Sequence, residues 1–223
     1  MNLTTLKGGI PFWDRFAPWY EKWAARGEYH RPLVKELSSM VEPGWKVLDI
    51  GAATGTLSIP LNSVGCAVHA LEPSEGMLKI LYEKIGALSI TGIECINERW
   101  EDFTPSHRYD LLLASNSLHL TDGGIMCGMK KVFSTLPAYV CLVTEINQQG
   151  YIDFKDIDRL QNHYDFLYIR NYRLNSSFIF QDMEEAEIVS AILGRELSLT
   201  RMGDVIVEPS GTDVAVLWWE RTA

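Results

Sequence analysis

The chain has 223 residues, is 47% hydrophobic, and carries a formal net charge of -9 with a pI of about 5.0. That length and apolar share suit one α/β domain over residues 1–223 with an ordinary core. The acidic balance argues against attraction to phosphate backbones, so no nucleic-acid partner is expected. The four cysteines (66, 95, 127, 141) form no Cys-x-x-Cys pair, and none of the five histidines pairs at metal-ligand spacing, so no metal is expected, and Cys66, Cys95 and Cys141, in or beside apolar runs, read as small buried hydrophobes. No charged-then-apolar leader opens the chain, and no uncharged apolar run reaches the ~18 residues of a membrane span. A soluble, cytoplasmic protein with no membrane partner is expected, as a monomer or homodimer.

In chain order, residues 12–25 are rich in aromatics (Phe12, Trp13, Phe16, Trp19, Tyr20, Trp23), with Pro18 expected to break or kink any helix there. Residues 30–42 have helical spacing, and residues 1–42 together read as an N-terminal helical cover. A strand is predicted at 46–50, a helix at 55–64, a strand at 67–71, and a helix at 75–86 capped by Ser74 and ended by Gly86. Strands follow at 93–96, 109–114 and 138–145, with a helix over 122–135. Strand and helix alternate, and the strands are apolar nearly throughout, which indicates a parallel sheet covered on both faces. Beyond Asn147 the pattern changes. Residues 152–170 read as helical, 182–193 as a helix, and 204–208 and 213–220 as two strands paired through the turn at Pro209-Ser210-Gly211. Residues 148–180 are a candidate insertion or lid. The aromatics of 164–180 suit either a lid lining or plain core.

The chemistry concentrates at Val47-Leu48-Asp49-Ile50-Gly51-Ala52-Ala53-Thr54-Gly55. An apolar strand ends in an acid, and a glycine turn leads into a helix. A carboxylate there would repel a pyrophosphate, which seeks backbone N–H groups at a helix start. It suits a ligand with a positive amino group. Glu72 follows about 20 residues on, where an acid in nucleotide-binding βαβ units holds ribose hydroxyls. The pair favours a cationic, adenosine-bearing cofactor over a dinucleotide.

With Glu72-Pro73-Ser74 after it, this stretch resembles the class I S-adenosylmethionine-dependent methyltransferases, over roughly residues 30–146. The resemblance implies a Rossmann-like, mostly parallel seven-stranded sheet with helices on both faces and an antiparallel C-terminal strand. It implies S-adenosylmethionine as cofactor, with Asp49 on the methionine amino group and Glu72 on the ribose hydroxyls. Gly51, Ala52, Ala53 and Gly55 would let the backbone approach, Pro73 and Met77 would lie beside the adenine, and Ser115 would line the methionine tail. Met77 also fits a core stripe with Leu78 and Leu81. In Asn97-Glu98-Arg99-Trp100-Glu101-Asp102-Phe103, related enzymes often place an acid where Arg99 stands, and arginine cannot accept from the adenine amino group. Glu98 or Glu101 would take that role. Trp100 would supply a stacking face and an N–H, or else is a core aromatic.

In Ser115-Asn116-Ser117-Leu118-His119-Leu120 the signatures of exocyclic-amine and pyrimidine-carbon methylation are absent. His119 is the candidate proton acceptor, or a packing histidine. Tyr20, with Trp13 and Phe16, would wall the site near the sulfonium, since aromatic faces attract cations. The function expected is methyl transfer to an O, N or S nucleophile of a small molecule. The alternatives are a protein side-chain methyltransferase and a non-catalytic subunit of the same fold. An NAD(P) oxidoreductase would require Gly-x-Gly-x-x-Gly, where this chain has Gly51-x-x-x-Gly55.

Overall fold

A computed structural model describes residues 9–146 and 163–222. Seven strands form one sheet in the order β3-β2-β1-β4-β5-β10-β6: β1 (Lys46–Ile50), β2 (Ala67–Leu71), β3 (Ile93–Ile96), β4 (Leu111–Ser115), β5 (Tyr139–Glu145), β6 (Tyr164–Asn175) and β10 (Gly211–Arg221). β1 to β5 are mutually parallel, and β10 runs antiparallel between β5 and β6. A second sheet of three short strands, β7 (Phe178–Phe180), β8 (Thr200–Met202) and β9 (Val205–Glu208), lies in the order β7-β9-β8. The helices are α1 (Gly9–Arg26), α2 (Arg31–Met40), α3 (Ser58–Val64), α4 (Glu75–Leu88), α5 (Gly124–Ser134) and α6 (Met183–Leu193), with a 3-10 turn at Leu118–Leu120.

The two-residue period of a strand sends alternate side chains to opposite layers. Val47, Val68, Leu111, Leu113, Cys141, Val143 and Val216 pack with α1, α2, α3 and α6. Leu48, Ile50, Leu112, Ala114, Val140, Leu142 and Leu217 pack with Trp100, Phe103 and α5. Both faces are therefore dry, as continuous apolar strands require.

Several expectations are corrected. Helix α1 runs through Pro18 without ending, held by Phe12, Phe16, Ala17 and Trp23, which it buries on one side. α4 passes Gly86 and stops after Leu88, where Ser89 takes the left-handed φ of +52°. Of the helix expected over 152–170, residues 164–170 are strand: β6 is a sheet edge whose Tyr168 and Tyr172 hydroxyls donate to the buried Glu36 of α2. Residues 147–162 lie outside the described residues, as do the first eight residues of the cover over 1–42. β9 and β10 do not pair as a hairpin. The Pro209-Ser210 link carries the chain from the small sheet to the large one, because β10 finds a longer partner on each side in β5 and β6. Of the three cysteines expected to be buried, Cys66 and Cys141 are, whereas Cys95 is only half-buried.

Strand order reverses between β1 and β4, and loops at the carboxyl ends of neighbouring strands diverge there. Such a divergence opens a crevice above the sheet.

Candidate functional site

The crevice is a cavity of about 930 Å³, large enough for a nucleoside cofactor with a second small molecule. The turns after β1, β2 and β4 form its floor, and α1 with the α1–α2 junction forms its roof. Asp49, Gly51, Ala52, Ala53, Glu72, Pro73, Met77, Trp100, Glu101, Ser115, His119, Trp13 and Tyr20 all line it, whereas Gly55 does not and Phe16, expected beside Trp13 and Tyr20, is buried in the core.

The turn after β1 is tied to the end of β2. The N–H groups of Gly51 and Ala52 both donate to the Leu71 carbonyl, at 2.8 and 3.1 Å. Glu72, 7% exposed, then accepts from the Ala53 N–H through Oε2 and from the Ser74 N–H through Oε1, each at 2.9 Å. Asp49, 2% exposed, accepts from the Ser58 hydroxyl at 2.6 Å. Burial pushes the Asp49 carboxyl up to about 6 and the Glu72 carboxyl up to about 7, against the pull of those hydrogen bonds; for Glu72 the nearby Asp49 and Asp14 add to the rise. Two acids with raised proton affinity in one cavity mark a place that a positive charge would stabilise.

Gly51 has a packing role as well as a place on the cavity wall, and Gly55 has packing alone. Gly51 (φ +77°) lines the cavity, yet a Cβ there would meet Ser117 Cβ at 2.4 Å; its bareness lets the β1 and β4 turns touch, and Ser117 Oγ donates to the Ile50 carbonyl at 2.5 Å. Gly55 (φ +79°) faces the core, where a Cβ would meet Leu81 Cδ1 at 2.4 Å. It sets the packing of the turn on α4.

Arg99 is also explained. Its guanidinium bridges Glu101 at 3.0 Å and Asp122 at 2.7 Å, while Glu101 Oε1 accepts from the Asp122 N–H at 2.7 Å. This cluster ties the segment after β3 to the loop before α5, and it engages Oε1 of Glu101. Trp100 is buried in core. Its indole N–H donates to the Gly128 carbonyl at 3.2 Å, its ring lies near Phe103, and the Lys131 ammonium sits 4.6 Å over it while donating to the Trp100, Glu101 and Phe103 carbonyls. Met77 is likewise buried, and its N–H donates to the capping Ser74 hydroxyl at 3.2 Å.

His119 sits in the 3-10 turn after β4. Burial lowers it to about 4, and its Nε2 is buried with no partner among the described residues. Tyr20 stands under the roof with its hydroxyl 3.5 Å from His30 Nε2 and hydrogen-bonded to Thr56. Burial, with Glu72 and Asp49 nearby, raises its proton affinity so far that it stays a phenol.

Sequence reasoning missed Asp14. Its Oδ1 accepts from the Ser74 hydroxyl at 2.7 Å and from the Gly76 N–H at 3.0 Å, which pins α1 to the start of α4. A Cβ on Gly76 would meet the Asp14 carbonyl oxygen at 2.5 Å, so glycine is what lets the two helices close. It also missed Ser58, Tyr29 and Asn116. Nothing in local sequence marks them, since their roles come from contacts between distant segments.

Residues 47–136 match the family model described as a methyltransferase domain. A Haemophilus influenzae protein is 29% identical over 126 residues, 56% of this chain; the chain spans 45% of that relative's length. A methyltransferase of Anoxybacillus flavithermus is 24% identical over 174 residues, 68% of this chain and 82% of the relative. The fold is similar to that of magnesium protoporphyrin IX methyltransferase from Synechocystis, solved with bound S-adenosylmethionine, at a TM-score of 0.57 and 15% identity over 84% of this chain and 79% of that one. Residues 47–136 thus carry a methyltransferase domain, and the sheet order and acid-flanked glycine turn are those expected of the class I S-adenosylmethionine-dependent methyltransferases.

Proposed function

We propose that this chain transfers the methyl group of S-adenosylmethionine to an O, N or S nucleophile of a small molecule. The observation that carries the reading is the pair of buried carboxylates, Asp49 and Glu72, facing one cavity from adjacent strand ends with their proton affinity raised. A cationic, ribose-bearing ligand supplies what both lack: a positive amino group for Asp49 and hydroxyl donors for the remaining lone pairs of Glu72.

When bound, the cofactor supplies a methyl group already activated by a positive sulfur. The protein's part is to bind, orient and exclude water. Gly51, Ala52 and Ala53 would offer backbone against the ligand, and Ser115 would line its amino-acid tail. Pro73, Met77 and Glu101 would flank the base, with the buried Trp100 supporting that wall. Gly55 acts through packing. Tyr20 is a fixed dipole over the two carboxylates. His119, with its Nε2 unpartnered among the described residues, would pass on rather than keep the proton an acceptor sheds, because burial makes it a weak base. A small acceptor is supported by the cavity's volume of about 930 Å³, which leaves room beside a nucleoside cofactor, with Trp13, Tyr20 and Trp23 of α1 along one wall.

Isothermal calorimetry with S-adenosylmethionine tests the reading. Asp49→Ala and Glu72→Ala should each weaken binding roughly 10- to 100-fold, the worth of about 1.5–3 kcal/mol for a charge-assisted contact. Unchanged affinity in both variants would refute the assignment.

A further inference from the structure

The cavity continues past the two carboxylates toward the ends of β4, β5 and β10. Asn116, the residue after β4, stands on that stretch of wall. Its backbone is left-handed, with φ +49°. The conformation is held from three sides. The Asn116 N–H donates to the Val143 carbonyl at 2.9 Å, the side-chain Nδ2 donates to the Tyr29 hydroxyl at 2.9 Å, and Ser117 next to it is anchored on Ile50. A non-glycine residue in this region persists only where its surroundings impose it.

This clamp aims one atom. Asn116 Oδ1 is buried and has no hydrogen-bond partner among the described residues. A buried carbonyl oxygen without a donor is costly, and at a cavity wall a ligand donor is the natural remedy. The surroundings define that ligand further. Trp13, Trp23 and Tyr29 line the chamber beside His30, with the Trp23 and Tyr29 ring centres 5.0 Å apart. Asp49, Glu72 and Glu145 contribute carboxylates to the same cavity. Flat apolar walls suit a ring, and the acids repel an anion.

We propose that Asn116 binds the methyl acceptor through Oδ1, and that the acceptor is an uncharged ring compound bearing a hydroxyl or amine donor rather than a carboxylate or phosphate. The proposal rests on the methyltransferase reading above and adds to it the class of acceptor and the residue that selects it.

Ligand-observed NMR on the full chain saturated with S-adenosylhomocysteine tests this without turnover. The probes are phenol, aniline and benzyl alcohol as donors, anisole as a ring of similar shape without a donor, and benzoate and phenyl phosphate as anions. The donors should bind, and anisole and both anions should bind at least about tenfold more weakly. Asn116→Gly, which suits the left-handed backbone and so leaves the fold intact, should cost the donors about tenfold. Asn116→Asp keeps an acceptor oxygen and should restore their binding to within a few-fold. S-adenosylhomocysteine affinity, measured by calorimetry, should stay within twofold in both variants. Equal binding of anisole or of an anion, absence of binding by every donor, or donor binding unaffected by Asn116→Gly would each overturn the proposal. If S-adenosylhomocysteine itself fails to bind the unaltered chain, the methyltransferase reading falls first, and this inference falls with it.

Discussion

Glu72 offers a test that separates function from stability. Its carboxyl is raised from 4.5 to about 7, chiefly by burial. Because the folded state holds the proton more tightly than the unfolded chain, the ionised form is a cost of folding. That cost is absent below pH 4.5. It grows as pH rises and is fully present above pH 7. At about 1.4 kcal/mol for each tenfold step in proton affinity, it reaches about 3 kcal/mol at pH 8. Glu72→Gln removes the charge. The amide keeps one oxygen for the Ala53 N–H and loses the acceptor for the Ser74 N–H, a loss of about 1–2 kcal/mol. The ligand-free variant should therefore be more stable than the unaltered protein by about 1–2 kcal/mol at pH 8, and less stable by about the same amount at pH 4. The assay is urea denaturation of both proteins at pH 4, 6 and 8. Stability curves that run parallel across this range would refute the claim that an uncompensated buried carboxylate sits at this strand end. The same variant should bind S-adenosylmethionine less well, so the residue that most harms the empty protein is the one its ligand needs.

Further outcomes follow from the same geometry. Binding of the cationic cofactor should release protons near pH 6.5 and tighten as pH rises from 6 to 8, because Asp49 (about 6) and Glu72 (about 7) must ionise to meet it; calorimetry in buffers of different ionisation enthalpy measures this, and uptake of protons would contradict it. Gly55→Ala should cost about 2 kcal/mol in urea denaturation, since the new Cβ has both an unfavourable left-handed backbone and Leu81 against it. The affinity of what remains folded should be nearly unchanged. Glu185 accepts from Arg26 at 2.5 Å and from Lys22 at 2.8 Å, and the Arg26 contact foremost holds its carboxyl down at about 2. Its contribution is present above pH 4.5 and is lost as pH falls from 4.5 toward 2. Glu185→Gln should cost about 1 kcal/mol at pH 7 after allowance for the solvent around both cations, and nothing at pH 2, by thermal denaturation.

Much of this molecule was legible from residue order alone. The strands at 46–50, 67–71 and 93–96 fall where apolar runs meet turn signals, and the acid-flanked glycine turn located the cavity floor. Those features are local: a period of two, a capping serine, a glycine at positive φ. Strand β6 was misread because Tyr168 and Tyr172 have no apolar pattern of their own. They are ordered by Glu36, 132 and 136 residues away. β9 and β10 look like a hairpin until longer partners compete for β10. Only the folded chain decided that Gly55 serves packing, that Arg99 is consumed by Glu101 and Asp122, and that Asp14 fastens the roof. It alone placed Asn116 with an unmet oxygen on the cavity wall. Short-range preferences are written along the backbone, whereas burial and the partners that satisfy a polar group depend on which distant segments arrive beside it.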